Sequence, residues 1–230
     1  MTGIPSIGAA LWTLFRLTLT RIGRGRLVWV GVAISILPIL AGIARSLAHD
    51  SRALAWTFGF ELFVLAILPP MFAAPAIAEE LEDRTSTYLW SRPLARGTIL
   101  AGKLLALAPV AAAFMVGSWW LAARIATTEP PPLATLGAIA AGALGVSVVS
   151  AGIATLAPKR GTALAMIFFL IIDLPVGQLP VSLHWLSVTH ATSALAGFET
   201  DSPVSGAIAL AIISAVWLAV AFRRVSRLES

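Results

Sequence analysis

Long uninterrupted runs of apolar residues alternate with short polar connections along this chain. Six runs stand out: Leu27–Ala44, Ala55–Ala78, Leu104–Ala123, Leu133–Ala157, Thr162–Leu179 and Val204–Phe222. A membrane-spanning helix needs about 20 apolar residues, and these runs are close to that length. They are continuous rather than alternating, which argues against a transmembrane β-barrel. The pattern predicts an all-α polytopic membrane protein with six transmembrane helices. The fifth run is the shortest and is interrupted by Asp173 and Pro175, so five spans with a re-entrant segment is the alternative count.

Upstream of the first run, Leu11, Leu14, Phe15, Thr18 and Ile22 fall on one helical face, and Thr13, Arg16, Thr20 and Arg24 on the opposite one. Trp12 suits a headgroup-level position. This reads as an amphipathic helix lying in the membrane interface. A cleavable signal peptide is the competing reading, but its apolar core would be longer than the usual 7–15 residues. The fourth run carries Gly137, Gly142, Gly145 and Gly152, with Ala138 and Ala141 a turn before two of them. Small residues four apart let helix backbones approach closely, either within one bundle or across a dimer face. Pro38, Pro69, Pro70, Pro75 and Pro109 lie within runs and predict kinks.

Composition agrees with the pattern. Of 230 residues, 58% are hydrophobic and 12% charged, and mean hydropathy is +0.90. A soluble domain carries roughly 25% charged residues, so a soluble enzyme, a disordered chain and a nucleic-acid-binding domain are excluded. There are no cysteines, hence no disulfides, thiolate nucleophiles or cysteine metal sites. No stretch is long enough for a separate soluble domain, which places any ATPase on another chain.

The net charge of +5 matters less than its distribution. Thirteen of the sixteen Lys and Arg residues lie in the first 26 residues, in 79–103, in 158–161 and in 223–230. Arg45, Arg52 and Arg124 are the other three. By the positive-inside rule the richer set is cytoplasmic and both termini are inside. The expected organisation is an interfacial helix over 1–26 and one six-helix domain over 27–230. Within that domain, 79–97 is a cytoplasmic helix or loop. Residues 176–203 form an outer segment too apolar to be a free loop, read as re-entrant or capping helices.

The most unusual connection joins the second and third runs. It reads Glu79-Glu80-Leu81-Glu82-Asp83-Arg84-Thr85-Ser86-Thr87-Tyr88-Leu89-Trp90-Ser91-Arg92-Pro93-Leu94-Ala95-Arg96-Gly97-Thr98-Ile99-Leu100-Ala101-Gly102-Lys103. Its acids come first and its bases last. Leu81, Thr85, Tyr88 and Leu89 share one helical face. Acids at the start and Arg92 near the end suit a helix dipole, and Pro93 should stop the helix. Such a helix is suited to docking another protein; an ordinary interfacial loop is the alternative.

The order acidic pair, acid-rich turn, Thr-x-x-Tyr-Leu, Ser-Arg-Pro, Arg, then Gly-Lys-Leu entering the next span resembles the membrane subunit of type-2 ABC exporters. The specific motif covers about residues 78–105, and the topology covers the whole chain. Many members have Gly before the threonine that matches Thr85, where this chain has Arg84. The resemblance implies an amphipathic elbow helix, six spans, and a coupling helix over 79–94 that sits in a groove of a separate ABC ATPase. Glu79, Glu80, Asp83 and Arg84 would pair with charges on that ATPase. Tyr88 and Leu89 would be the apolar anchor, with Thr85 and Arg92 completing the coupling set. It also implies a second permease copy, as homodimer or heterodimer, with the first and fifth spans as dimer and pathway elements. The setting would be the bacterial cytoplasmic (inner) membrane. ATP and Mg would be bound by the partner ATPase, leaving no catalytic residue, cofactor or metal on this chain, and no nucleic-acid partner.

Other patterns weigh less. Gly97 to Lys103 matches seven positions of a phosphate-binding loop, but Leu104 stands where Ser or Thr should ligate magnesium. Ile167–Ile172 followed by Asp173 imitates a Walker B strand, yet reads as a span. Glu61 and Asp173 are acids within spans, which are functional candidates by default. They either line an outward vestibule and touch or gate cargo, or pair structurally with Arg45, Arg52 or Arg124, or are simply exposed at the interface. His184 and His190 lie six apart, not at the i, i+4 metal-ligand spacing of a helix, and His49 sits alone in the first outer loop. A lipid-modifying membrane enzyme would need clustered catalytic side chains such as His-Glu-x-x-His, which the sequence lacks. An ion-coupled secondary transporter would show internal repeats, and none is visible.

Overall fold

A computed structural model describes residues 7–48, 52–82, 96–127 and 129–227. Among these residues there are helices and turns but no strand. Six helical stretches are long and apolar enough to cross a membrane: Arg26–Leu47, Ala53–Pro75, Gly97–Thr127, Leu133–Leu156, Pro158–Gly177 and Pro203–Arg227. They fall on the six apolar runs of the sequence, including the interrupted fifth. A further helix, Ile7–Arg24, precedes them and packs against the third span.

The prolines act unequally. Pro38, Pro75 and Pro109 lie inside helices that continue past them. The second span breaks only at Ala66–Ile67, between the helices Ala53–Leu65 and Leu68–Glu82. The adjacent Pro69 and Pro70 have no N–H for the carbonyls of Leu65 and Ala66, so the α-helical ladder cannot cross this point. The chain tightens instead, with the Ile67 N–H donating to the Val64 carbonyl at 3.0 Å and the helix resuming through Met71 to Ile67 at 3.1 Å. The third helix begins at Arg96, well before its apolar run. Gly97 to Lys103 are therefore helical, and no phosphate-cradling loop forms there. The fifth span is irregular: a 3₁₀ turn at Pro158–Arg160, a helix at Gly161–Ile167, a π-helical turn at Phe168–Asp173 and a last helical turn at Leu174–Gly177. Pro175, which cannot donate, follows the π turn directly.

The second, third and fourth spans make the buried core, and the first, fifth and sixth lie around it with most of their apolar surface outward. Trp119, Phe72, Phe169, Leu65 and Leu68 are among the largest fully buried side chains. Lipid is as apolar as leucine, so close packing rather than water exclusion must hold these helices together. Small residues supply it. A Cβ on Gly42 would lie 2.6 Å from the Ala122 carbonyl oxygen, so the first span touches the backbone of the third. In the fourth span Gly142 meets Thr192, and Gly145 lies where a Cβ would be 2.7 Å from Leu210 Cδ1. Gly152 faces Trp217, while Gly137 has open space around it. Three of the four glycines are thus used inside one chain.

Gly42→Ala should therefore lower thermal stability in detergent by ~1–3 kcal/mol, the usual cost of overpacking. Gly137→Ala, with nothing within 4 Å of its added methyl, should melt like wild type. Equal melting of the two variants would contradict this packing.

Candidate functional site

Two buried acids and the segment after the fifth span form one connected end of the bundle. Asp173 ends the π turn and is buried. Its carboxylate accepts four hydrogen bonds: from the N–H groups of Val188 (2.8 Å) and Thr189 (3.0 Å) and from the hydroxyls of Thr189 (2.7 Å) and Ser187 (3.2 Å). Val188 and Thr189 open the helix Val188–Leu195, so Asp173 satisfies first-turn N–H groups that have no partner within that helix. Its negative charge also suits the positive end of the helix dipole. Ser187, the N-cap, accepts from the His190 N–H at 3.0 Å. Together the two side chains satisfy three orphan donors.

The same helix ends by design of its glycine. The Gly197 N–H donates to the Ala194 carbonyl at 3.1 Å, and the Phe198 N–H to the Ser193 carbonyl at 3.0 Å. With Gly197 at φ +79°, this is a Schellman closure, where glycine takes the left-handed conformation without penalty. The turn sends Phe198 back into the bundle. Its ring stacks on Phe58 at 3.9 Å and meets Trp119 edge-on at 6.0 Å.

Glu61 lies one turn after Phe58 and is 1% exposed. The Ser118 hydroxyl, next to Trp119 in sequence, is 2.9 and 3.2 Å from its two carboxylate oxygens and 2.9 Å from the Met115 carbonyl. Glu61 and Ser118 thus adjoin the Phe58–Trp119–Phe198 cluster. The hydrogen bonds found for the two acids among the described residues come from hydroxyls and backbone N–H groups, not from arginine. Arg45 instead lies over the Trp56 ring, 4.7 Å from its centroid.

At the other end of the bundle, Glu79 and Glu80 belong to the helix Leu68–Glu82, which rises without interruption from the buried Phe72, Ala73 and Ala74. Asp83, Arg84, Thr85, Tyr88, Leu89 and Arg92 lie outside the described residues, as does His49. The next described residue, Arg96, opens the third span, whose Ile99 and Leu100 are already buried. Both ends of the charged connection are therefore rooted in the core.

A family model described as ABC-2 family transporter protein matches residues 19–176. The chain belongs to this ABC-2 transporter family. The match takes in the first five spans, the charged connection and both buried acids, and it stops before the segment 178–203 and the last helix. The comparison with curated proteins returns no match. As a member of the ABC-2 family the chain is a multi-pass membrane protein and the membrane component of a transporter.

Sequence reading named Asp173 but not its partners. They are backbone N–H groups and hydroxyls 14–16 positions away, which no spacing rule connects. The helical spacing of His184 and His190 does not predict their meeting, yet they sit on different short helices, Ser182–Leu186 and Val188–Leu195, with rings stacked at 4.1 Å.

Asp173→Asn replaces one acceptor oxygen by an NH₂ donor and strands a buried N–H. Amide exchange over 188–195 should accelerate about 10-fold or more, matching the ~1–3 kcal/mol cost of an unsatisfied buried donor. Glu61→Gln, whose amide oxygen can still accept from Ser118, should leave that exchange unchanged. Wild-type transport by both assembled variants would remove both acids from the pathway.

Proposed function

We propose that this chain is the permease subunit of an ATP-driven exporter, paired with a second permease copy and two ATPase chains. The observation that carries the reading is the family match across 19–176, together with the acid-to-base connection 79–103 that it contains. The helix before that connection runs straight out of the core, and the helix after it returns straight in. A force applied to the connection would thus act on two core helices directly. Residues 79–94 would be the coupling helix, with Glu79, Glu80, Asp83, Arg84, Thr85, Tyr88, Leu89 and Arg92 meeting the ATPase. Buried aromatic and apolar anchors usually contribute more than rim charges. ATP and Mg would belong to the ATPase, and this chain would carry no catalytic residue or cofactor.

The connections rich in Lys and Arg would face the cytoplasm, with both termini inside a bacterial cytoplasmic membrane. The helix Ile7–Arg24 would be the interfacial elbow, its exposed Trp12 at headgroup level. Residues 176–203 would then close the outward end, held by Asp173 and by the insertion of Phe198. In this reading Asp173 positions the closing segment. Glu61 is buried beside Ser118, one turn from the Phe58 that Phe198 stacks on, and cargo would reach it only once that segment moves. The first and fifth spans, whose Trp29 (75% exposed) and Ile171 (67%) point away from the chain's own core, would meet the second copy.

Co-expression with the cognate ATPase tests the coupling. The ATPase should copurify with wild type and be lost at least ~10-fold on Glu79→Lys with Glu80→Lys, the scale of removing paired interface charges. Undiminished copurification would overturn the coupling assignment, and transport that survives ATP depletion but collapses with the proton gradient would overturn the exporter. A reporter active only outside the cytoplasm, fused after Ser230, should be silent.

A further inference from the structure

Two histidines and an aspartate come together in the closing segment. His184 comes from the 3₁₀ helix Ser182–Leu186, His190 from the helix Val188–Leu195, and Asp201 from the turn before the last span. His190 Nδ1 is 3.1 Å from the Gly177 carbonyl oxygen, and His184 Nδ1 is 3.3 Å from the Leu179 carbonyl oxygen. A carbonyl can only accept, so each Nδ1 carries a proton. In the neutral rings both Nε2 atoms then bear lone pairs. They converge on one carboxylate oxygen, with His190 Nε2 at 3.2 Å and His184 Nε2 at 3.9 Å from Asp201 Oδ2. His184 Nε2 is buried without a hydrogen-bond partner.

Three electron-pair donors facing one another repel unless a cation lies between them. We propose that His184, His190 and Asp201 form a zinc-class divalent metal site that clamps the two short helices 182–195 to the turn leading into the last span. Two imidazoles, one carboxylate and a water complete a tetrahedral set typical of zinc. The three ligand atoms lie within 4.8 Å of one another. Zinc bonds of 2.0–2.2 Å imply tetrahedral edges of roughly 3.4 Å, reached by small rotations of the partly exposed His184 and Asp201. The outer support of the ligands is already built: each imidazole donates its other N–H to a backbone carbonyl, which fixes tautomer and ring orientation. Trp185 packs edge-on to both imidazoles at 5.2 and 5.3 Å and shields the cluster. The site lies outside the family match at 19–176, so it is a feature of this chain rather than one inferred from family membership, and it stands whatever the cargo.

The test uses the full chain in nanodiscs, stripped with a chelator and dialysed against zinc alone. About one zinc per chain should be retained, and cobalt in its place should give the visible bands of tetrahedral Co²⁺. His184→Gln, His190→Ala and Asp201→Asn should each weaken zinc binding at least ~10-fold, as even supporting residues of metal sites do. Glu199→Gln, an acid of the same segment bonded instead to Ser193, should not. The cobalt spectrum of wild type decides the question even if a variant fails to fold. No retained zinc, octahedral cobalt, or undiminished binding in the His184 and His190 variants would overturn the site. So would thermal stability that follows pH but not zinc, which would make the bridging cation a proton.

Discussion

A carboxylate within a membrane-spanning segment must find its hydrogen-bond donors in the protein, because the bilayer core offers none. Asp173 finds four, and all of them belong to one short stretch, Ser187–Thr189. This pairing fixes where the helix Val188–Leu195 starts and how it sits on the end of the fifth span. The rest of the closing segment depends on that placement. His190 occupies the first turn of the same helix, so its ring is aimed by the same cap. Gly197 ends the helix two turns on, and Phe198 drops onto Phe58 and Trp119 because of where the helix ends. An unsatisfied acid at position 173 would cost several kcal/mol at membrane depth. The helix it caps would in turn lose donors' partners that water at the bilayer edge replaces only in part.

The bundle obeys the same constraint in its packing. Helices surrounded by lipid gain little by hiding leucines from it, so close backbone approach has to supply the attraction. Gly42 against the Ala122 carbonyl and Gly206 against the backbone of Ala191 and Leu195 are such approaches. Several hydroxyls within the spans are satisfied locally. Ser147, Ser150 and Thr57 donate back to carbonyls four residues earlier, which settles each hydroxyl without a partner helix. The two buried acids differ: Ser118, the hydroxyl partner of Glu61, lies on another span, and the donors to Asp173 lie in the segment beyond its own span. The Ser118–Glu61 hydrogen bond joins the second span to the third inside the buried core.

The spans were legible because apolar continuity is a local property of sequence. Even the interrupted fifth run forms a helical stretch long and apolar enough to cross, since Asp173 and Pro175 are accommodated by a π turn and by external donors rather than by ending the helix. The break in the second span was legible as Pro69-Pro70, whereas Pro38, Pro75 and Pro109 show that one missing N–H is tolerated inside a helix. The site was less legible. The role of Asp173 depends on backbone groups that carry no residue identity, and that of Phe198 on a left-handed glycine before it. The histidine spacing misled for a specific reason. The i, i+4 rule presumes one continuous helix, and Ser187 starts a new helix between His184 and His190, folding the chain so that six positions become one ring stack.

The first, fifth and sixth spans turn much of their apolar surface outward. Trp29, Ile171 and Ile212 are largely uncovered, but an apolar side chain facing lipid is as well solvated as one facing another subunit. In water such surfaces would demand a partner; in a bilayer they do not. A dimer must therefore be held by shape and by specific contacts. The first and sixth spans are each one continuous α-helix. The fifth span differs, because its π turn at Phe168–Asp173 widens the backbone where Ile171 and Ile172 point outward. An irregular ridge is matched poorly by mobile chains and well by a complementary helix. That irregularity, rather than hydrophobicity, would let the fifth span set the register of a second copy that meets the first and fifth spans.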